Sequence, residues 1–228
     1  MQGIVRLPKP VIASVHGIAI AAGCQLVASC DLAVGADDPR FAAPGVNIGL
    51  FCSTPMVALS RNVGHKAAMQ MLLTGELIDA PTALRFGLVN EIVAATELTA
   101  RTATLAQQIA TKSPLTLAIG KEAFYRQAEL ALAGAYAYAA RAMTANLQTQ
   151  DAQEGIGAFL DKHQPVWCGH WSRRRGVSVC DGGLPRMAGR RCRRAASRAP
   201  GALNREIITP DRKAAINAIH HMRSNPAP

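Results

Sequence analysis

KPVIASVHGIAIAAGCQLVASCD, residues 9–31, decides how the rest of the chain is organised. After Pro10 comes Val11-Ile12-Ala13-Ser14-Val15, a short, partly β-branched apolar run of the kind that makes a buried strand. His16-Gly17 turns the chain, Ala19, Ala21, Ala22 and Gly23 keep the next stretch small, and a helical pattern runs on to Cys30. The first N–H groups of a helix have no partner inside it, and the dipole there favours negative charge. A strand, a small-residue turn and a helix start therefore gather free backbone donors in one place, which suits an oxyanion. Close strand–helix packing through small residues is the competing account of the same composition.

Outward from this stretch the pattern keeps alternating. DLAVGA, residues 31–36, reads as a second strand, and a strand–helix–strand unit predicts a parallel pair with a right-handed crossover. Asp37-Asp38-Pro39 is turn chemistry, and residues 41–50 form an apolar segment broken by Pro44 and Gly45. From Thr54 the period is helical, interrupted at Gly64. Asp79 before Ala80-Pro81 is an N-cap for another helix, and residues 89–93 give a last strand-like piece. Helices are then predicted over residues 96–111, 114–131, 134–147 and 151–162, with Ser113 capping the second ahead of Pro114.

Charge is unevenly placed. Residues 1–167 hold 12 Lys/Arg and 12 Asp/Glu, whereas residues 168–228 hold 13 Lys/Arg and 3 Asp/Glu and so carry the whole net +10. The basic balance therefore describes the tail, and the body has no charge signature of a nucleic-acid binder. Cys24, Cys30 and Cys52 sit among apolar residues, as reduced buried thiols do. No apolar run approaches the roughly 20 residues of a membrane span, and the N-terminus has no signal-peptide pattern. The expected location is cytoplasmic, or the mitochondrial matrix for a eukaryotic source. After Trp167 the composition shifts at once to Arg, Gly, Cys and Ala. Residues 168–228 are expected to be a basic low-order tail, on the hypothesis that a frameshift replaced the original ending; one clean reading frame shared by related genes would refute this. A short helix is read over residues 209–221.

The quoted stretch resembles the crotonase superfamily, the enoyl-CoA hydratases and isomerases, through KPVIA-x-V-x-G-x-A-x-x-x-G-C-x-L…CD. FAAPGVNIGLF (residues 41–51), LLTGELIDAPTALRFGLVNEIV (72–93) and KSPLTLAIGKEAFY (112–125) continue the match in order. Within the superfamily, AAGCQLVASCD and PGVNIGLFCSTP look closest to the enoyl-CoA hydratase domain-containing protein 3 group. The resemblance implies an α/β fold, a crotonase-like β-β-α spiral followed by a C-terminal helical region. It covers roughly residues 8–167, a partial domain. In the family about the first third precedes KPVIA and supplies several strands and the first of two oxyanion donors, so an open-edged sheet is expected.

The resemblance also implies a ligand and site residues. The ligand is an acyl-CoA thioester, with coenzyme A part of the substrate and no separate cofactor or metal. The second oxyanion donor falls on the backbone N–H of Ala22, with Ala19 and Gly23 beside it as substrate-binding positions. The two catalytic glutamates of the hydratases fall on Gln25 and Gly45. Gln25 orients a water but does not take its proton near neutral pH, and Gly45 does neither. Cys24, at a helix N-terminus where a thiol pKa can fall, reads either as a reactive thiol or as core filler. His16 reads as a base or as a strand-end polar residue. Asp31 is expected to bond backbone at the strand start. Lys112, Lys121 and Arg126 read as a solvated helix face, with a phosphate contact from Lys121 as the functional alternative. The family implies a homotrimer or hexamer.

Two constellations in the tail complete the inventory. The arginines at 173–175 and at 190, 191, 193 and 194 offer phosphate neutralisation without a binding fold, so no nucleic acid is expected. Cys168, His170, Cys180 and Cys192 offer zinc ligand types without a C-x₂-C pair. Three function classes follow: an enoyl-CoA hydratase/isomerase family enzyme of fatty-acid metabolism with hydratase chemistry doubtful, a non-catalytic acyl-CoA-binding or regulatory protein, and a non-functional gene fragment.

Overall fold

The structure is a computed structural model that describes residues 1–170. The tail arginines, Cys180, Cys192 and the helix read over 209–221 lie outside the described residues. Those described fall into two compact units, residues 1–108 and 109–170, with the helix Leu98–Ala110 running across the division.

The first unit is built on the parallel pair predicted from residues 9–36. Strand β1 (Ile12–Val15) lies parallel to β3 (Leu32–Gly35), with Ile12 opposite Leu32 and Val15 opposite Gly35. A two-residue strand, β6 (Glu91–Ile92), extends the sheet on the far side of β3. Helix α2 (Ala22–Ser29) joins the pair. Asp31 closes the loop: its Oδ2 accepts the Val11 N–H at 2.7 Å, the backbone role expected of it.

Both faces of this sheet are covered, as parallel sheets require. Alternate residues Ala13, Val15 and Ala33 join the main core with Val27 and Ala28 of α2, while Ile12, Val34 and Ala36 pack with Leu98 and Leu105 of the helix α6 (Leu98–Ala110). Ser14 and Thr102 are buried and share a hydrogen bond of 3.4 Å that ties α6 to β1.

A second small sheet differs from the sequence reading. Residues 18–20, read as part of the turn and helix, form strand β2 (Ile18–Ile20), parallel to β4 (Arg40–Ala42). Strand β5 (Ile78–Asp79) then pairs antiparallel with β4. Three and two residues are too few to display a period of two, so alternation could not reveal them. The N-terminal residues likewise form a helix, α1 (Gln2–Arg6), whose Ile4 packs on the core.

After β4 the broken apolar segment becomes a 3-10 helix, Pro44–Ile48, followed by α3 (Ser53–Asn62) and α4 (His65–Thr74). Asp79 caps α5 (Ala80–Phe86), its Oδ1 accepting the Thr82 N–H at 2.9 Å.

The second unit holds α7 (Pro114–Gln127), α8 (Leu132–Leu147) and α9 (Gln150–Leu160), close to the spans predicted. Ser113 caps α7 as expected, accepting the Thr116 N–H at 3.1 Å. Beyond α9 the chain is strapped back. Trp167 Nε1 donates to the Thr111 carbonyl at 2.7 Å, and Gln150 N–H donates to the His170 carbonyl at 3.2 Å. Between them the buried Asp151 carboxylate accepts Ser113 Oγ at 2.5 Å and the N–H groups of Cys168 and Gly169 at 2.8 and 3.1 Å. Burial pushes the Asp151 carboxyl up, and these donors outweigh it, holding the group below the ordinary carboxylate value.

Candidate oxyanion site at the start of helix α2

The donors gathered at α2 are set by one unusual residue. Ala21, the N-cap, has φ 47° and ψ −110°, a positive-φ conformation that L-residues other than glycine rarely adopt. It is held there from both sides. Its N–H donates to the Ala42 carbonyl of β4 at 2.9 Å, and its carbonyl accepts the Gln25 N–H at 2.9 Å. No side chain caps α2, so the first N–H groups, beginning with exposed Ala22, are available to an external acceptor. Gly23 is half-buried beside it. Ala19 is only 3% exposed and lies beneath the turn, its Cβ 3.9 Å from where a Cβ on Gly23 would stand. That is ordinary contact, so tight packing alone does not call for glycine at 23.

Gln25 sits one turn further along α2. Its Nε2 donates to the Thr54 carbonyl at the start of α3, at 3.0 Å. Gly45, the other position matched to a family glutamate, lies in the 3-10 helix. Here the structure adds what the sequence did not suggest: the space a side chain would need is taken. A Cβ at residue 45 would press on the carbonyl oxygen of Leu50 and lie 2.9 Å from Cys52 Sγ and 3.3 Å from Cys52 N. The Leu50 N–H donates to the Gly45 carbonyl at 2.9 Å, and the Gly45 N–H to Cys52 Sγ at 3.3 Å. The 3-10 turn is thus closed on itself over a missing side chain.

The other candidates separate clearly. Cys24 is fully buried, and burial, with Cys52 adding to it, pushes its thiol up to about 12. Burial wins over the helix-terminus effect, so Cys24 is core filler and a protonated thiol at neutral pH. His16 is exposed at the end of β1. Lys121 lies in the second unit on α7 and is 8% exposed, which departs from a solvated face. Lys112 is exposed, and Arg126 Nε pairs with Glu122 Oε1 at 3.2 Å. Cys168 Sγ contacts Gln150 Oε1 at 3.2 Å. Among the described residues no three His, Cys, Asp or Glu side chains cluster as a metal site, and no helix is long and apolar enough to cross a membrane.

Two shallow surface grooves lie away from the turn. One, in the second unit, is lined by Gln150, Gln153, Glu154, Val166 and Cys168. The other, in the first unit, is bordered by Arg40, Gln70, Asp79, Thr82 and Arg85. Neither contains Ala22, Gln25 or Gly45. The candidate site is therefore defined by backbone donors on an open surface. Asp151 and its pairing with Ser113 were not singled out from sequence; the two stand 38 residues apart, and no local pattern couples them.

Known proteins resemble this chain in sequence and fold. The sequence pattern of the enoyl-CoA hydratase/isomerase family matches residues 1–170. The mouse protein named enoyl-CoA hydratase domain-containing protein 3, mitochondrial, is 52% identical over 160 residues, which are 70% of this chain and 53% of that one. The crystal structure of the human protein of that name superposes with a TM-score of 0.70 at 52% identity, covering 73% of this chain and 66% of its own. An enoyl-CoA hydratase structure from Mycobacterium smegmatis gives 0.71 at 54% identity, covering 73% and 65%. The chain spans about half the length of the curated relatives it matches. On that family match and these superpositions, the chain has the crotonase-type α/β fold and belongs to the enoyl-CoA hydratase/isomerase family.

Proposed function

We propose that this chain binds an acyl-CoA thioester, with the thioester carbonyl on the Ala22 N–H, and that it does not hydrate it. The observation that carries this reading is the pairing of two features. Ala21 holds the start of α2 uncapped beside an exposed Ala22, while the position matched to a glutamate at Gly45 is closed by the Leu50 carbonyl and Cys52 Sγ.

The chemistry follows from the groups present. A thioester carbonyl oxygen gains negative charge when its α-carbon is deprotonated or its β-carbon attacked. A fixed N–H at a helix start stabilises that charge, and one such donor is worth about 10²–10³ in rate. Hydration also needs a base for water and an acid for the α-carbon, each worth about 10²–10⁴. Gln25 exchanges no proton near neutral pH, and Gly45 has none to exchange. Exposed Ile48, Leu50 and Phe51 beside Gly45 offer apolar surface for an acyl chain. A role in fatty-acid metabolism, a homotrimeric or hexameric state and a cytoplasmic or mitochondrial-matrix location accompany this reading as proposals from the family.

The same closure at Gly45 favours the second reading, an acyl-CoA-binding protein without turnover. One experiment separates the outcomes: titration with butyryl-CoA alongside crotonyl-CoA hydration. The expected result is saturable binding, with hydration at least about 10⁴-fold below an ordinary hydratase. Hydration within tenfold of one refutes the acid–base argument. No binding of any acyl-CoA refutes the reading as a whole.

A further inference from the structure

We propose that Cys52 and Cys24 form a peroxide-sensitive dithiol, a modification site at which Cys52 is oxidised first and Cys24 then closes on it as a disulfide. The inference does not depend on the acyl-CoA reading and concerns two thiols which that reading leaves unused.

The fold brings the two cysteines to one junction. Cys24 lies in the first turn of α2, and Cys52 is the N-cap of α3. Gln25, next in the chain to Cys24, donates its Nε2 to the carbonyl of Thr54, two residues beyond Cys52, at 3.0 Å. That bond ties the two segments together beside both thiols. Both thiols are free, and Cys52 packs against the core cluster that contains Cys24. They are also electrostatic neighbours: burial pushes the Cys24 thiol up to about 12, and Cys52 adds to it. Cys30, at the other end of α2, stands about 9 Å along the helix axis from Cys24.

The two sulfurs differ in what they can do. Cys52 is half-buried, so a small hydroperoxide reaches its sulfur, and the Gly45 N–H donates to that sulfur at 3.3 Å. Cys24 is fully buried and does not start the reaction. The Cys52 thiolate attacks one oxygen of hydrogen peroxide. The O–O bond breaks, and the other oxygen leaves as water with the thiol's proton, giving a sulfenic acid on Cys52. Cys24 Sγ then attacks Cys52 Sγ. The S–S bond forms, the S–O bond breaks, and the departing oxygen carries off the Cys24 proton as a second water. Two thiols have then given two electrons to one peroxide. The bond takes Cys52 Sγ off the Gly45 N–H and tethers the first turn of α2 to the start of α3.

The test treats the 228-residue chain with hydrogen peroxide, blocks the remaining thiols with N-ethylmaleimide under denaturing conditions, and maps the cysteine peptides by mass spectrometry without reduction. The expected product links the peptides of Cys24 and Cys52, lacks two hydrogens, is reversed by dithiothreitol and leaves Cys30 alkylated. Cys24→Ala is expected to stop the oxidation at a sulfenic acid on Cys52, trapped by dimedone. Cys52→Ser is expected to leave Cys24 unoxidised. If either variant fails to unfold cooperatively, phenylarsine oxide on the unaltered chain replaces it, because arsenic bridges only thiols within reach of each other; one phenylarsenic group shared by the two peptides is expected. Linkage of Cys52 to a cysteine other than Cys24, oxidation that halts on Cys52 in the unaltered chain, a Cys52 that peroxide leaves intact, or arsenic that bridges another pair overturns the proposal.

Discussion

Restoring a glutamate at position 45 is expected to damage this protein without reviving hydration. The reason lies in the 3-10 turn Pro44–Ile48. A Cβ at residue 45 would meet the Leu50 carbonyl, which is backbone, and Cys52 Sγ at 2.9 Å. The sulfur can move by rotating χ1, but the carbonyl cannot move alone, because the Leu50 N–H is bonded to the Gly45 carbonyl at 2.9 Å. Overpacking of this kind costs about 1–3 kcal/mol. Loosening the Gly45–Leu50 hydrogen bond adds about 1 kcal/mol, and the lower chain entropy of a non-glycine residue returns about 0.4–1 kcal/mol. The net expectation for Gly45→Ala is a loss of about 2 kcal/mol, or about 4–8 °C in Tm for a chain of this size. Gly45→Glu should lose at least as much. Adding Cys52→Ala should recover only the sulfur's share, about 0.5–1 kcal/mol, since the carbonyl remains. Thermal and urea unfolding measure the stabilities, and crotonyl-CoA hydration by Gln25→Glu/Gly45→Glu measures the chemistry. A Gly45→Ala protein as stable as the original would refute the packing argument. Ordinary hydratase rates in the double variant would refute the claim that the site has been rebuilt around the missing side chain.

Two further expectations test other links. Ala21→Gly should raise stability by about 1 kcal/mol, because relief of the positive-φ strain, of order 1–3 kcal/mol, exceeds glycine's entropic cost of about 0.5–1 kcal/mol; an unchanged or lower Tm would show that the φ of 47° carries no strain. Asp151→Asn should destabilise the second unit by about 2–4 kcal/mol, since an amide cannot accept Ser113 Oγ, Cys168 N–H and Gly169 N–H together. The sign with pH follows from the depressed carboxyl: its contribution is complete above the ordinary value of 3.8 and is lost as pH falls through the lower folded-state value. The gap between the unaltered chain and Asp151→Asn should therefore close below about pH 4, and a gap that stays constant to pH 2 would sink the assignment.

Much of this was legible in the residues, for reasons that differ by element. The pair β1–β3 was readable because residues 11–15 and 31–36 are compact apolar runs and the intervening helix leaves only a parallel arrangement. The caps at Asp79 and Ser113 were readable because their chemistry is local. Strands β2 and β5 were hidden by their brevity, and α1 has neither a capping side chain nor a buried residue to mark it. At the site, the absence of carboxylates at Gln25 and Gly45 was plain from the letters. What filled the space at 45 was not, since Leu50 and Cys52 reach it through a 3-10 closure that no periodicity encodes. Cys24 shows two rules in conflict: a helix start lowers a thiol pKa, full burial raises it, and only the packed structure says that burial wins. Asp151 stayed unnoticed because its partners come from 38 and 17 residues away.

The two halves of the site also differ in what can erase them. The acid and base of a hydratase are side chains, so one substitution each is enough to remove them. The donor at Ala22 is backbone, and its exposure depends on the dihedral angles of Ala21 and on the Ala42 carbonyl that anchors that residue. No single side-chain change at Ala22 other than proline deletes an N–H. On the proposed reading, a chain without proton chemistry at Gln25 and Gly45 would still present that N–H to a thioester carbonyl. Ala21 goes further than default, because alanine tolerates its conformation only while β2, β4 and α2 jointly enforce it. Strain held in place next to free donors is what a binding turn still in use would show, and it is the reason to expect binding to outlast hydration in this protein.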